Sequence, residues 1–363
     1  MNRVERYLSS VLVVHFLLVL LVLLALIGFT EFMNQLDDLT DDYTVELAAI
    51  YVLLKLPNYI VQLFPVALLI GTLMGMGNLA NHSELTVLRV TGWSIRRIFL
   101  AVIKVALLLW VFVTIMGETI GVNAETYANK LRAESLNKQF SLGQSNGFWV
   151  KNNQRFIEIG QAISNQDLRD VVIYHLQKGE LTKQASYPQV RFENGQWIGR
   201  NGVIKTLDWM VKPEVPELKW IDYQYENLNS VQLSLPFLPA DLEKLTVKST
   251  SLNLIQLQEQ IDFLQVNGGD PSALKMAYWN KLASPLVVLA MIAIVFPLIF
   301  GSQRQVSMGQ RIFIGVLIGL LFHLGNQLIG NLSAVYQLPA VMAAFIPAGI
   351  LLIVALLWLR LQR

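Results

Sequence analysis

Apolar residues in this chain gather in long blocks separated by polar segments. Six runs, at 8–30, 48–79, 96–121, 277–300, 311–331 and 338–359, are long enough to cross the roughly 30 Å of bilayer hydrocarbon as helices. The first follows Arg3 and Arg6 but is longer than a signal-peptide core. It exits through Phe29-Thr30-Glu31-Phe32 without a small-x-small cleavage site, so it reads as a retained span. The second is too long for one bilayer thickness and holds Pro57 and Pro65. Proline removes a backbone donor, so an interfacial or kinked start is expected there.

Between the third and fourth runs the pattern changes. From about 122 to 276 the chain is rich in Asn, Gln, Ser and charge. Val122–Gln139 has few helix breakers and reads as a helical extension of span three. Short alternating runs follow at Phe148–Val150, Arg155–Ile159, Val171–Leu176, Gln189–Phe192, Gln196–Ile198, Gly202–Leu207, Leu218–Tyr225 and Val231–Leu235. Asn194-Gly195 between two of them is a hairpin signal. Short strands at regular spacing predict an all-β sandwich, roll or barrel. Leu252–Val266, apolar at Leu254, Leu257, Ile261 and Leu264, reads as a short amphipathic helix, and Gly268-Gly269-Asp270-Pro271 as a break before span four. The domain reading is therefore 1–121 (spans one to three), 122–276 (β insert with helical flanks) and 277–363 (spans four to six).

Composition agrees with a membrane protein. Hydrophobic residues make up 54% of the chain and charged residues 15%, against about 25% charged in soluble domains. This excludes an ordinary cytosolic enzyme, a disordered chain and a disulfide-stapled secreted domain. The net charge of +2 gives no basic excess for nucleic acid. With no cysteine in the sequence, disulfides, thiolate metal sites and cysteine nucleophiles are excluded.

Loop charges set an orientation. Arg3 and Arg6 precede span one, Arg89, Arg96 and Arg97 lie between spans two and three, and Arg304 and Arg311 lie between spans four and five. Arg360 and Arg363 end the chain. The 31–47 loop instead carries Glu31, Asp37, Asp38, Asp41, Asp42 and Glu46 without Lys or Arg. The positive-inside rule puts both termini in the cytoplasm and the β insert across the membrane.

Motifs for chemistry are missing. The sequence has no G-x-x-x-x-G-K-[ST], no H-E-x-x-H and no G-x-S-x-G, so no catalytic residue, metal site or cofactor is expected in this chain. His15, Lys55, Lys104, Lys281 and His323 lie within spans, with Glu118 near the outer end of span three. No midplane carboxylate suited to ion coupling is evident. The lysines read as snorkelling or satisfying carbonyls, and His323, beside Asn326 and Gln327, as an interhelical hydrogen bond rather than part of a gate. Gly71–Gly75, Gly117–Gly121 and Gly315–Gly319 give G-x-x-x-G, which allows close helix approach without naming the partner.

The segment Asn81–Gly92 predicts a short helix, with Asn81 as cap, Glu84 in the first turn, an apolar stripe at Leu85 and Leu88 that Val87 extends, and Gly92 as the stop. It reads equally as an interfacial connector or as a docking helix for a cytoplasmic protein.

That segment, with "YWNKLASPLVVLAMIAIVFPLIFGSQRQVSMGQRI" and "NQLIGNLSAVYQLPAVMAAFIPA", resembles the lipopolysaccharide export permeases, the LptF/LptG family, and is most like its LptG branch. The likeness runs through all six spans and weakly through the insert. It implies a membrane α-helical bundle with an inserted periplasmic β-jellyroll, acting as the permease subunit of an ABC transporter in the bacterial inner membrane. It implies an LptF-like permease partner, an LptB-like ATPase dimer that uses ATP, an LptC-like single-span protein, and lipopolysaccharide as cargo. Helix 81–92 would then couple to the ATPase through Glu84, Leu85, Leu88, Arg89 and Gly92. Arg132, which matches a basic position of the family, and neighbouring Lys130 would meet the head group; the bland reading makes both solvated surface charges. Spans one and five are the family's usual gate helices. The family's lysines at the outer end of span one are replaced here by Glu31, Asp37 and Asp38, and this cluster reads as exposed solvating charge. The competing readings are an ion-coupled secondary carrier and a scaffold that anchors partners through its β-domain.

Overall fold

The computed structural model describes residues 3–136, 148–152, 154–164, 166–177, 180–212, 215–239, 251–266, 271–300, 307–336 and 338–361. The last residues of the helix predicted to reach Gln139, the Gly268–Asp270 break, Arg304 and Arg363 lie outside these. The chain divides into two compact units. One comprises Met1–Arg132 with Ser272–Arg363, and the other Ala133–Pro271.

In the helical unit, α1 (Arg3–Leu36) and α2 (Val45–Asn81) lead to a short α3 (Glu84–Val90). Next come α4 (Ile95–Met116), a single π-helical stretch (Gly117–Gly121) and α5 (Val122–Ser135). After the insert follow α7 (Ser272–Phe300), α8 (Met308–Tyr336) and α9 (Ala340–Leu361). Six helices are long and apolar enough to cross a membrane, as the hydrophobic pattern predicts. The long second run forms one helix, α2. The helix begins at Val45, capped by Thr44 Oγ1 accepting from Leu47 N–H at 3.5 Å, and runs unbroken through Pro57 and Pro65. At about 1.5 Å per residue, its 37 residues reach well beyond one hydrocarbon thickness.

Helix α2 is the hub: it packs against α1, α3, α4, α7 and α8. Between apolar helices in lipid the hydrophobic effect gives little net attraction, so association rests on close van der Waals fit. The three G-x-x-x-G pairs supply that fit, and the structure names their partners. A methyl group on Gly71 would sit 2.7 Å from the Phe16 Cα of α1, and one on Gly75 3.3 Å from the His15 ring. Gly117 and Gly121 meet α2 at Val61 and Asn58, and Gly315 and Gly319 meet it at Ile70, Leu73 and Val66. Phe16 then packs edge-on against Phe64, centroids 5.4 Å apart.

The insert is all-β, as expected. Its strands are β1 (Phe148–Asn152), β2 (Arg155–Ser164), β3 (Asp167–Gln177), β4 (Glu180–Glu193), β5 (Gln196–Lys212) and β6 (Val215–Leu233). They pair in chain order as one antiparallel sheet. Among the described strands this is an uncrossed meander, without the crossover connections of a two-sheet jellyroll. The hairpin at Asn194-Gly195 forms with both residues at positive φ, 50° and 82°, the primed turn that strand twist favours. One face carries a core of Ile157, Ile159, Leu168, Val171, Tyr187, Val190 and Trp197, closed by Phe237. Trp197 Nε1 donates to the Phe237 carbonyl at 2.9 Å. The helix predicted over Leu252–Val266 is α6 (Leu254–Val266). Asn253 and Gln256 exchange side-chain-to-backbone bonds at its start, at 2.8 and 3.0 Å.

Eight short runs become six strands because pairing continues across two of the expected breaks, at 199–201 in β5 and 226–230 in β6. The ladders skip at one row, where Gly160, Asp170, Pro188 and Asn201 stand opposite one another by register. Asp170 and Asn201 hold φ of 53° and 51°, and Pro188 has no N–H to give. Gly160 must stay bare, since a methyl there would lie 2.9 Å from Asp170 Cβ.

Gly71→Ala tests the hub. The Cβ meets backbone, which cannot rotate away, so a loss of about 1–3 kcal/mol is expected. Gly349→Ala, with open space around its Cβ, should leave the thermal midpoint of the purified protein in place.

Candidate functional site

At the end of the helical unit where α1 leaves and α2 begins, charges converge that sequence spacing does not connect. Glu31 at the end of α1 accepts from Lys55 Nζ of α2 at 2.7 Å, both side chains being mostly buried. The ammonium also lies 5.0 Å from the Tyr51 ring centroid and 5.3 Å from that of Tyr59. Asp38, in the turn after α1, pairs with Arg132 of α5. The Arg132 guanidinium lies 5.6 Å from the same Tyr51 ring, so Tyr51 is flanked by two cations. Buried Glu125 of α5 accepts from Asn58 Nδ2, and Glu118 of the π-helical stretch pairs with Lys281 of α7. Tyr43, fully buried, donates to Gln35 Oε1 at 3.2 Å. Burial pushes its phenol above its ordinary pKa, against the pull of nearby Arg132.

Several expectations are corrected here. Glu31 and Asp38 are engaged in ion pairs rather than serving as exposed solvating charge, while Asp37, Asp41 and Asp42 are exposed. Lys55 and Lys281 pair with carboxylates rather than snorkelling. In a low-dielectric setting a buried cation is held most favourably by a partner anion. Lys104 is exposed. His323 is exposed on α8 and makes no hydrogen bond among the described residues, so the expected interhelical bond is absent. Of the two rim cations, Arg132 is half-buried on Asp38, with its Nε buried and without a partner among the described residues; Lys130 is exposed.

At the opposite end lies α3. Asn81 does not cap it. Asn81 is the last residue of α2, and its Oδ1 accepts from Arg311 Nη2 of α8 at 2.9 Å. The cap position is Ser83, in a left-handed conformation with φ 59° and no capping side-chain bond. Gly92, at φ 91°, ends the helix as expected: Gly92 N–H donates to the Arg89 carbonyl and Trp93 N–H to that of Leu88. Leu85 is buried and Leu88 half-buried against the bundle, so the apolar stripe seats the helix. Glu84 accepts from Tyr7 Oη of α1 at 2.7 Å. Arg89, Val87 and Val90 face outward. Val87, expected to extend the stripe, is exposed and lies off it. Sequence reading missed Val90, legible as an apolar residue off the stripe, and Tyr7, which stands 77 positions from Glu84 and was not legible.

Between these ends, α1 and α8 flank α2 and leave broad apolar faces uncovered. Only 11% of the most apolar window of α8 and 22% of that of α1 is buried, against 61% for α2 and for α7. Leu17, Leu21 and Leu26 on α1, and Phe313, Leu320 and Leu321 on α8, are all more than half exposed.

An apolar bundle of six spans, interrupted by a β unit, with compensated charges at one end and apolar faces left bare on several spans, most of all on α8 and α1, defines a multi-pass membrane protein. Residues 6–361 match the family model described as lipopolysaccharide export system permease LptF/LptG, and the chain belongs to that family. It is similar to the lipopolysaccharide export system permease protein LptG of Haemophilus influenzae, at 30% identity over the whole of this chain and 99% of that relative. It is also similar to the protein of the same name in Escherichia coli strain K12, at 25% identity over 99% of this chain and 98% of that one. It is thus a permease component of the export system, a multi-pass inner-membrane protein, and not itself a catalytic enzyme.

The ion pairs generate a test. Lys55→Met alone strands Glu31 and is expected to cost about 3–5 kcal/mol of stability, while Glu31→Gln with Lys55→Met should recover a large part of that loss. Thermal midpoints of the purified variants in detergent report the coupling. Additive losses would mean that the pair is not coupled.

Proposed function

We propose that this chain forms one half of a two-chain permease and pairs with an LptF-like partner, with lipopolysaccharide acyl chains held between the halves. The observation that carries this is the uncovered apolar surface of α1 and α8 on either side of α2. A wall that apolar in a folded chain wants an apolar occupant. Pulling an acyl chain of about a dozen methylenes out of hydrocarbon costs on the order of 10 kcal/mol if water replaces it. A matching cavity removes most of that cost, and ATP hydrolysis by a separate LptB-like dimer supplies the rest. Nucleotide chemistry belongs to that partner, since this chain carries no P-loop and needs no cofactor of its own.

In this reading α3 is the coupling helix. Val87, Arg89 and Val90 offer the contact surface. Leu85, Leu88 and the Gly92 turn hold the helix in place, and Glu84 passes its displacement through Tyr7 to α1, one of the two least-covered spans. Both termini and α3 are cytoplasmic, the β unit is periplasmic, and an LptC-like span completes the assembly. Arg132 and Lys130 would meet the head-group phosphates. For Arg132 this requires exchange of Asp38 for phosphate, so the acidic turn acts as a stand-in anion in the unloaded state.

Glu84→Arg should lower ATPase retention and lipopolysaccharide release by the assembled complex about tenfold or more, since the charge-assisted bond from Tyr7 that ties α3 to α1 is lost. Unchanged docking and export would remove the coupling role. Because the chain has no cysteine, single-cysteine labelling is clean. Ser83→Cys is expected to react only from the cytoplasm and Asn227→Cys only from the periplasm; the reverse would invert the topology.

A further inference from the structure

On the arginine-bearing end of the helical unit a cavity of about 630 Å³ opens between α3, α4, α7 and α9. Its walls are the first turns of α4 and the last turns of α7 and α9, with Phe99, Phe296 and Leu356 among them. Phe99 and Phe296 meet edge-on at 4.8 Å, and Phe296 stacks with Phe300 at 5.7 Å, which makes a firm aromatic wall. Three arginines stand in the lining, Arg89 from α3, Arg96 from α4 and Arg360 from α9. All three are exposed, and none has an ion-pair partner among the described residues. No carboxylate stands among the described residues that line the cavity. The one acid of α3, Glu84, is bound to Tyr7. The ion pairs Lys55–Glu31, Arg132–Asp38 and Lys281–Glu118 lie at the other end of the unit.

We propose that this cavity is a binding site for an anionic glycerophospholipid of the cytoplasmic leaflet, with its phosphate on Arg96 and Arg360, its head group reaching Arg89, and an acyl chain along Phe99, Phe296 and Leu356. The leaflet assignment rests on the orientation proposed above; the chemistry of the site does not. Three uncompensated guanidiniums call for an anion, and their planar donor forks suit phosphate. A soluble phosphate would satisfy them but leave the apolar walls bare. A protein carboxylate would have to be carried in between span ends. A lipid alone supplies charge and hydrocarbon at that depth, and basic pockets between spans on the cytoplasmic side are suited to anionic head groups. The site is distinct from the bare faces of α1 and α8, since neither helix lines it. Because Arg89 belongs to α3, a bound lipid ties the short helix to α4 and α9.

The experiment uses the assembled complex purified in detergent and titrated with phosphatidylglycerol or phosphatidylcholine, with retained lipid identified by native mass spectrometry. Wild type should retain phosphatidylglycerol, and R96A/R360A should bind it about tenfold or more weakly, as two charge-assisted contacts are lost. Leu356→Trp, which fills the acyl path and keeps every charge, should weaken it as well. Phosphatidylcholine should bind poorly to both, and millimolar inorganic phosphate should not displace the lipid. Equal retention by wild type and both variants would overturn the proposal. So would displacement by free phosphate, recovery of lipopolysaccharide as the lipid those arginines hold, or loss of ATPase docking with no change in bound lipid. Labelling of Leu361→Cys from the periplasm would instead overturn the orientation while leaving the site's lipid chemistry standing.

Discussion

Backbone contact around α2 is the constraint on which the membrane unit depends. Helices in lipid gain little from hiding apolar surface, because the solvent is apolar too. They hold together where atoms touch. Gly71 lets the Phe16 backbone come close enough that no Cβ would fit, and Gly315 and Gly319 do the same, less tightly, for α8. With α1 and α8 seated on opposite sides of one helix, their far sides are left to whatever comes next. The bareness that carries the functional reading is thus a by-product of how the glycines are placed. At the α3 end Arg311 extends the arrangement: it is buried, lies against Gly77 and donates to Asn81, where the carbonyl end of α2 favours a cation.

The other end is governed by charge. Four carboxylates there have basic or amide partners, and each pair joins different elements: α1 to α2, the first turn to α5, α5 to α2, and the π-helical stretch to α7. An ion pair in poorly solvated surroundings does little for net stability against an apolar substitute, but removing one member is costly. The network therefore fixes register more than it adds strength. Tyr51 between Lys55 and Arg132 shows the same economy, one ring serving two cations.

Much of the fold was legible in the sequence because local periodicity carried it. Span length, the Asn194-Gly195 turn, the amphipathic stretch of α6 and the Gly92 stop depend on residues close in the chain. The pairings were not legible for the opposite reason. Lys55 finds Glu31 across 24 positions and Lys281 finds Glu118 across 163, and a loop of six acids without a base looks solvated until its partners arrive from other helices. The G-x-x-x-G motifs were visible, but only the assembled bundle shows that all three serve α2. In the insert, Gln196–Ile198 and Gly202–Leu207 read as separate strands, yet the chain passes through Asn201 at positive φ and continues as one. For the short helix, sequence gave the inward stripe; the outward surface and the link to α1 required the fold.

The row through Gly160, Asp170, Pro188 and Asn201 has a consequence for how this β unit can change over time. Four strands place their irregular residue on one line, so they share a common count from hairpin to hairpin. A residue inserted in β4 upstream of Pro188 would move the proline off that line and throw its neighbours on both sides out of step. Length changes in these strands must be matched across the sheet or confined to the hairpin tips, which makes the crease a brake on insertion and deletion rather than on substitution.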